Sequence, residues 1–159
     1  MRLRHESGGA DMYVVYQSRH AKARKAAEAI ADAAHHQGMI AFIGPISDVD
    51  PVAIMEADVL VAGCTTQVDT PFGGDARSTT RAWIDQIPDL DGKPCAVFCT
   101  YSFFPHTFAD VTTRTAEVLD SLERGLELRG GKVVASQGIL NRKPVQGAEA
   151  LVSKIAARI

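Results

Sequence analysis

Five basic residues crowd one short stretch near the N-terminus. Arg19, His20, Lys22, Arg24 and Lys25 all lie within YQSRHAKARKAAEAIA, residues 16–31. An apolar, strand-like run ends at Ser18, and a helix-like run begins almost at once. A helix N-terminus already carries partial positive charge, so cations there repel unless an anion sits among them. Arg24 and Lys25 read as a solvated helix face with Glu28 as their ion-pair partner. Arg19, His20 and Lys22 fall at the strand-to-helix turn and read as cationic donors to an anion.

Three further groups invite chemistry. TYSFFPHTF, residues 100–108, holds Tyr101, Phe103 and Phe104 in one predicted loop, where they could stack on a flat ligand. His106 in the same loop reads as an exposed residue. Cys95 and Cys99 share a face of one predicted strand by the period of two, and Cys64 ends a neighbouring strand. No Cys-x-x-Cys is present, so the three thiols read as small core residues. His35 and His36 suit the C-terminal end of a helix dipole. Trp83 reads as an apolar anchor on its helix.

Composition narrows the classes. The chain has 159 residues, 46% hydrophobic and 23% charged, which suits one globular domain with a real core. Net charge is −2, so the basic cluster is local and the chain does not read as a nucleic-acid binder. No apolar run reaches the roughly 18 residues of a membrane helix. The start, MRLRHESGGADM, lacks a signal-type hydrophobic stretch; with three cysteines, this points to the cytoplasm. Residues 1–11 read as a loose tail, and 12–159 as a single domain.

The elements that must position these residues alternate strictly. MYVVYQS (12–18), MIAFIG (39–44), DVLVAGC (58–64), PCAVFCTYS (94–102) and KVVASQGIL (132–140) read as strands. Helices are expected over 22–38, 51–57, 78–87, 111–130 and 144–159. Gly38 should stop the first helix, and Asp50 and Pro51 should start the second. Such alternation implies a parallel sheet with helices on both faces. Ligands then bind beyond the carboxyl ends of the strands. The turns to examine follow strands one, three and four.

Those turns and the order between them make the chain resemble the flavodoxin-like family over about residues 12–159. VVYQS followed by AEAIA resembles the family's first strand, phosphate loop and first helix. ADVLVAGCTT with TRAWIDQIPDLDGKPCAVFCTYS resembles its third strand through its fourth-strand loop, and ELRGGKVVASQGIL its fifth strand. The resemblance implies an α/β three-layer sandwich, a five-stranded parallel sheet of order 2-1-3-4-5, and a site for FMN. The family's phosphate loop reads S/T-x-T-G-x-T. Here the positions are Ser18, Arg19, His20, Ala21, Lys22 and Ala23, so only Ser18 matches. Losing two hydroxyls removes two hydrogen bonds to a charged group, each worth about 1.5–3 kcal/mol. Arg19, His20 and Lys22 would offset that loss.

By the same resemblance, Thr65, Thr66, Gln67 and Phe72 line one side of a flavin ring. Thr100, Tyr101, Ser102, Phe103 and Phe104 line the other. The expected function is noncovalent FMN binding for electron transfer or a small flavin-dependent reductase. The implied partners are a flavin nucleotide or another phosphate-bearing anion and a redox protein, with a monomer or homodimer as the assembly. The second reading is a flavodoxin fold that has lost FMN and serves as an anion-binding or protein-interaction module. Other uses of this architecture fail on residues. A phosphoacceptor receiver needs acids where Gln17–Ser18 and Cys64–Thr65 stand. A small phosphatase needs Cys and Arg in the first loop, and the Gly-rich dinucleotide fingerprint is missing there. No residue reads as a catalytic acid, base or nucleophile, and no metal set is expected.

Overall fold

Strand β3, Val59–Thr65, is buried along its whole length, as its unbroken apolar run demands. It pairs in parallel with β1 (Asp11–Tyr16) on one side and β4 (Pro94–Tyr101) on the other. Strand β2 (Ile40–Pro45) joins the outer edge of β1, and β5 (Lys132–Leu140) that of β4. The sheet order is therefore β2-β1-β3-β4-β5. This computed structural model describes residues 9–17, 21–66, 76–103 and 107–159. None of its helices is long and apolar enough to cross a membrane, among the described residues.

Alternation along the strands splits the core between the two faces. Val14, Val61 and Phe98 face α1 (Ala21–His36) and α5 (Pro144–Ala156). Val15, Leu60, Val97 and Cys99 face α2 (Pro51–Glu56), α3 (Ala76–Ile84) and α4 (Phe108–Leu128). Alanine dominates the buried face of α1, with Ala23, Ala27 and Ala34 fully buried beside Ile30. Such small side chains let α1 lie close to the sheet and to α5. Gly63 serves the same economy of space inside the sheet. The ring of Phe98, its partner on β4, lies so close that a Cβ at Gly63 would sit 2.3 Å from it.

Helix ends follow local chemistry. Gly38 closes α1 at φ 79°, with its N–H donating to His35 O and that of Met39 to Ala34 O. Gly130, at φ 83°, closes α4 in the same way. The Asp50 carboxylate accepts from the Val52 N–H and caps α2. Helix α4 starts at Phe108, three residues before the expected 111, because Thr107 Oγ1 accepts from the Asp110 N–H. Helix α3 starts at Ala76 where 78 was expected, and a single 3-10 turn at Ile46–Asp48 follows β2.

Strand β5 carries one extra residue near its start. Cys95 aligns with Val133, yet Ala96 aligns with Ala135. Val134 is the additional residue, and both it and Ala135 are buried on the α5 face.

Candidate functional site

At the carboxyl edge of the sheet, the turns after β1, β3 and β4 come out side by side. The Gln17 N–H donates to Gly63 O at 3.1 Å and carries the β1–β3 ladder one residue past the strand. Helix α1 begins four residues on, with Ala21 exposed, Lys22 half-buried and Ala23 fully buried. Ala23 therefore packs its methyl into the core, leaving only its backbone for a ligand. Arg24 pairs with Glu28 at 3.0 Å on the exposed face of α1, as a solvated pair.

The β3 and β4 turns are fastened to each other. Thr65 aligns with Thr100, and both are 1% exposed. The carbonyl of Thr100 accepts from the Thr66 N–H at 2.9 Å and from Thr66 Oγ1 at 3.0 Å. Two donors on one acceptor fix the path of the chain as it leaves β3. The Thr100 hydroxyl itself is buried and has no hydrogen-bond partner among the described residues.

Beyond Thr100 the side chains part to opposite faces. Thr100 and Ser102 turn to the α1/α5 face, into a cleft of about 300 Å³ that Lys22 also lines. Tyr101 turns to the α4 face. Its ring meets Phe103 edge-on at 5.4 Å and 75°, and Phe103 stacks on Phe108 at 5.6 Å and 16°. A second recess of about 350 Å³ lies among these rings, Val111, Thr115 and Gly138. Of the expected wall of Tyr101, Ser102, Phe103 and Phe104, Tyr101 and Phe103 thus stay together while Ser102 stands on the other face, and Phe104 lies outside the described residues.

Scans of protein-family models and of curated proteins find no match for the sequence. Solved structures do match it. A Streptococcus pneumoniae TIGR4 flavodoxin is similar at 18% identity over 94% of this chain and 100% of that one, with a TM-score of 0.71. Oxidised flavodoxin 1 of Bacillus cereus matches at 18% identity, 94% and 99% coverage, and a TM-score of 0.70. Two-electron reduced Megasphaera elsdenii flavodoxin matches at 19% identity, 92% and 98% coverage, and a TM-score of 0.66. The chain has the flavodoxin-like fold.

On this flavodoxin-like frame, the structure brings Lys22, Thr65, Thr66, Thr100 and Ser102 to one edge. Ser18, Arg19, His20, Gln67, Phe72 and Phe104 lie outside the described residues, as does His106. Four residues that the sequence reading did not assign to the site join the edge. Lys25, read as surface, lines the cleft with Asn141 and Arg142 from the turn after β5. The signal for the last two was available, since every turn that follows a parallel strand emerges at the same edge. Phe108, read as loop, completes the aromatic stack from the first turn of α4.

The cysteines sit as the strand pairing requires. Cys64 aligns with Cys99 across β3 and β4, and all three thiols are free and buried. Burial pushes the Cys95 thiol up to about 12. Cys99 is raised well above its ordinary value, by burial first and then by its hydrogen bond with Cys64. Cys95 and Cys99 therefore remain protonated at neutral pH, and a protonated thiol is a poor nucleophile. Trp83 packs against this side of the core, as an anchor for α3.

Proposed function

We propose that this flavodoxin-like chain binds FMN noncovalently at the carboxyl edge of its sheet and acts in electron transfer or as a small flavin-dependent reductase. The observation that carries the reading is the fastened pair of turns, Thr66 onto Thr100, beside the first turn of α1. It lies next to the β1/β3 boundary, where strand order reverses and such sheets take their ligands. The residues present suit the phosphate end of the group. The N–H groups in the first turn of α1, from Ala21 to Ala23, have no acceptor within the helix and offer backbone donors, and Lys22 adds a cation. Ser18, Arg19 and His20 complete that turn in sequence.

The ring end would rest between the turn after β3, from Thr65 and Thr66 through Gln67 and Phe72, and the turn after β4. FMN, when bound, supplies one- and two-electron chemistry, and the chain supplies binding and orientation. The fastened turns hold the edge in shape before a ligand arrives, which reduces the ordering cost of binding. Cys95 and Cys99, buried with their thiols raised, leave redox work to a cofactor. A redox partner protein would approach this same edge, in the cytoplasm.

A second reading rests on Ala23. Its methyl is wholly buried where a phosphate loop of this family would offer a hydroxyl, which favours an anion-binding module without flavin. Fluorescence titration separates the two. Free FMN is held at low micromolar concentration while protein is added to tens of micromolar. Quenching that saturates supports the flavin reading, and fluorescence that stays constant throughout refutes it. Retention of binding after changing Arg19, His20 and Lys22 to Ala together would refute the phosphate assignment alone.

A further inference from the structure

The cleft on the α1/α5 face joins Lys22, Thr100 and Ser102 to Lys25, Asn141 and Arg142, and the flavin reading does not use the last three. It opens over the end of β4, between the first turns of α1 and α5, with a volume of about 300 Å³. Lys22, Lys25 and Arg142 line it, and no carboxylate does among the described residues. Both flanking helices direct their N-termini toward it, and Lys143, at the N-cap of α5, makes no side-chain capping bond. Like charges and like dipole ends gathered without an acid are costly unless an anion separates them.

Hydrogen bonding points the same way. Five buried side-chain polar atoms lack a partner among the described residues, and three of the five belong to this cleft. They are Thr100 Oγ1, Asn141 Nδ2 and Asn141 Oδ1. Thr100 is 1% exposed, so its hydroxyl has little access to bulk solvent. Such groups are ordinarily satisfied, and each exception calls for a reason. Hydroxyl and amide donors beside three cations form the donor set that a tetrahedral oxyanion accepts.

We propose that this cleft is a binding site for a phosphate dianion, free or carried by a small phosphorylated molecule, held by Lys25, Arg142, Thr100 and Asn141. Asn141 and Arg142, from the turn after β5, distinguish it from the flavin phosphate site proposed at the turn after β1, and Lys22 is common to both.

The test is calorimetric titration of the full chain with inorganic phosphate at fixed ionic strength, then with glycerol phosphate. Saturable binding is expected, weakened at least tenfold by Arg142→Ala and by Thr100→Val. Arg142 is exposed, so its variant keeps the fold, and the isosteric Thr100 variant is a second probe. Glycerol phosphate binding more tightly than inorganic phosphate identifies an esterified ligand, and the reverse a free ion; either supports the site. FMN affinity should stay within twofold in Arg142→Ala if the flavin reading holds. Phosphate binding without FMN binding retains the cleft and refutes the flavin reading. The proposal is overturned if phosphate fails to bind, or if its binding survives both cleft variants, and loss with Arg19→Ala would then assign the ion to the turn after β1.

Discussion

Thr100→Val should make the protein more stable in phosphate-free buffer. The change keeps the shape of the side chain and removes a hydroxyl that is buried at 1% exposure with no partner among the described residues. A buried polar group left unsatisfied costs about 1–3 kcal/mol, so its removal should return about 1–2 kcal/mol. In a chain of this length that corresponds to about 2–8 °C in Tm. The bonds from Thr66 end on the carbonyl of Thr100 and survive the substitution. Urea unfolding followed by circular dichroism measures the difference. Added phosphate should then close the gap. At a hundredfold excess over Kd, a ligand stabilises the native state by about 2.7 kcal/mol. The variant lacks one hydrogen bond to a charged group, worth about 1.5–3 kcal/mol, and gains correspondingly less. A variant that is less stable than the parent by 1 kcal/mol or more without phosphate would refute the reasoning, because the hydroxyl would then have a native partner.

Two other perturbations test the frame beneath the site. Gly63→Ala should destabilise by about 1–3 kcal/mol in chemical denaturation, since its Cβ would lie 2.3 Å from the fully buried Phe98 ring. Combining it with Phe98→Leu should recover part of that loss, and strict additivity would argue against the contact. The thiols give a pH prediction. Cys95 titrates at about 12 in the native state and near 9.0 when unfolded, so the native state holds its proton more tightly. The stability from this group is complete below about pH 9 and is lost as pH rises toward 12. Cys99 and Tyr13, also raised by burial, act in the same direction. Urea midpoints measured from pH 7 to 11 should therefore fall only above about pH 9. At pH 8, native protein should resist iodoacetamide while unfolded protein takes up three labels.

Buried parallel strands read as apolar runs, and helix ends read as Gly, Pro and Asp, so the parallel sheet was legible at once, while its order came from the resemblance to the flavodoxin-like family. Val59–Thr65 and Lys132–Leu140 needed no tertiary information. The helix start at Phe108 was less legible, because that side chain is exposed and marks no core face. The division of Tyr101 from Ser102 follows from strand alternation, but only once β4 is known to run as far as Tyr101. Asn141 and Arg142 were hidden for another reason. Their neighbours in the cleft come from α1, about 120 positions earlier, and no local pattern records that approach. Similarly, nothing in a sequence reveals that a threonine hydroxyl is left unpaired, which depends on every atom around it.

Val134 has an effect that ends where it sits. Ala135 aligns with Ala96 just as Val133 aligns with Cys95, so β4 and β5 match on both sides of the extra residue. Val133 stands on the α4 side, while Val134 and Ala135 both stand on the α5 side. The bulge thus sets two side chains in a row against α5 and leaves Ile139 and Asn141 where an unbroken ladder would put them. Deleting Val134 would remove one buried valine from the α5 core and keep the composition of the ligand edge. The insertion is a local filler of space, insulated from the distant rim by the pairing that resumes one residue later.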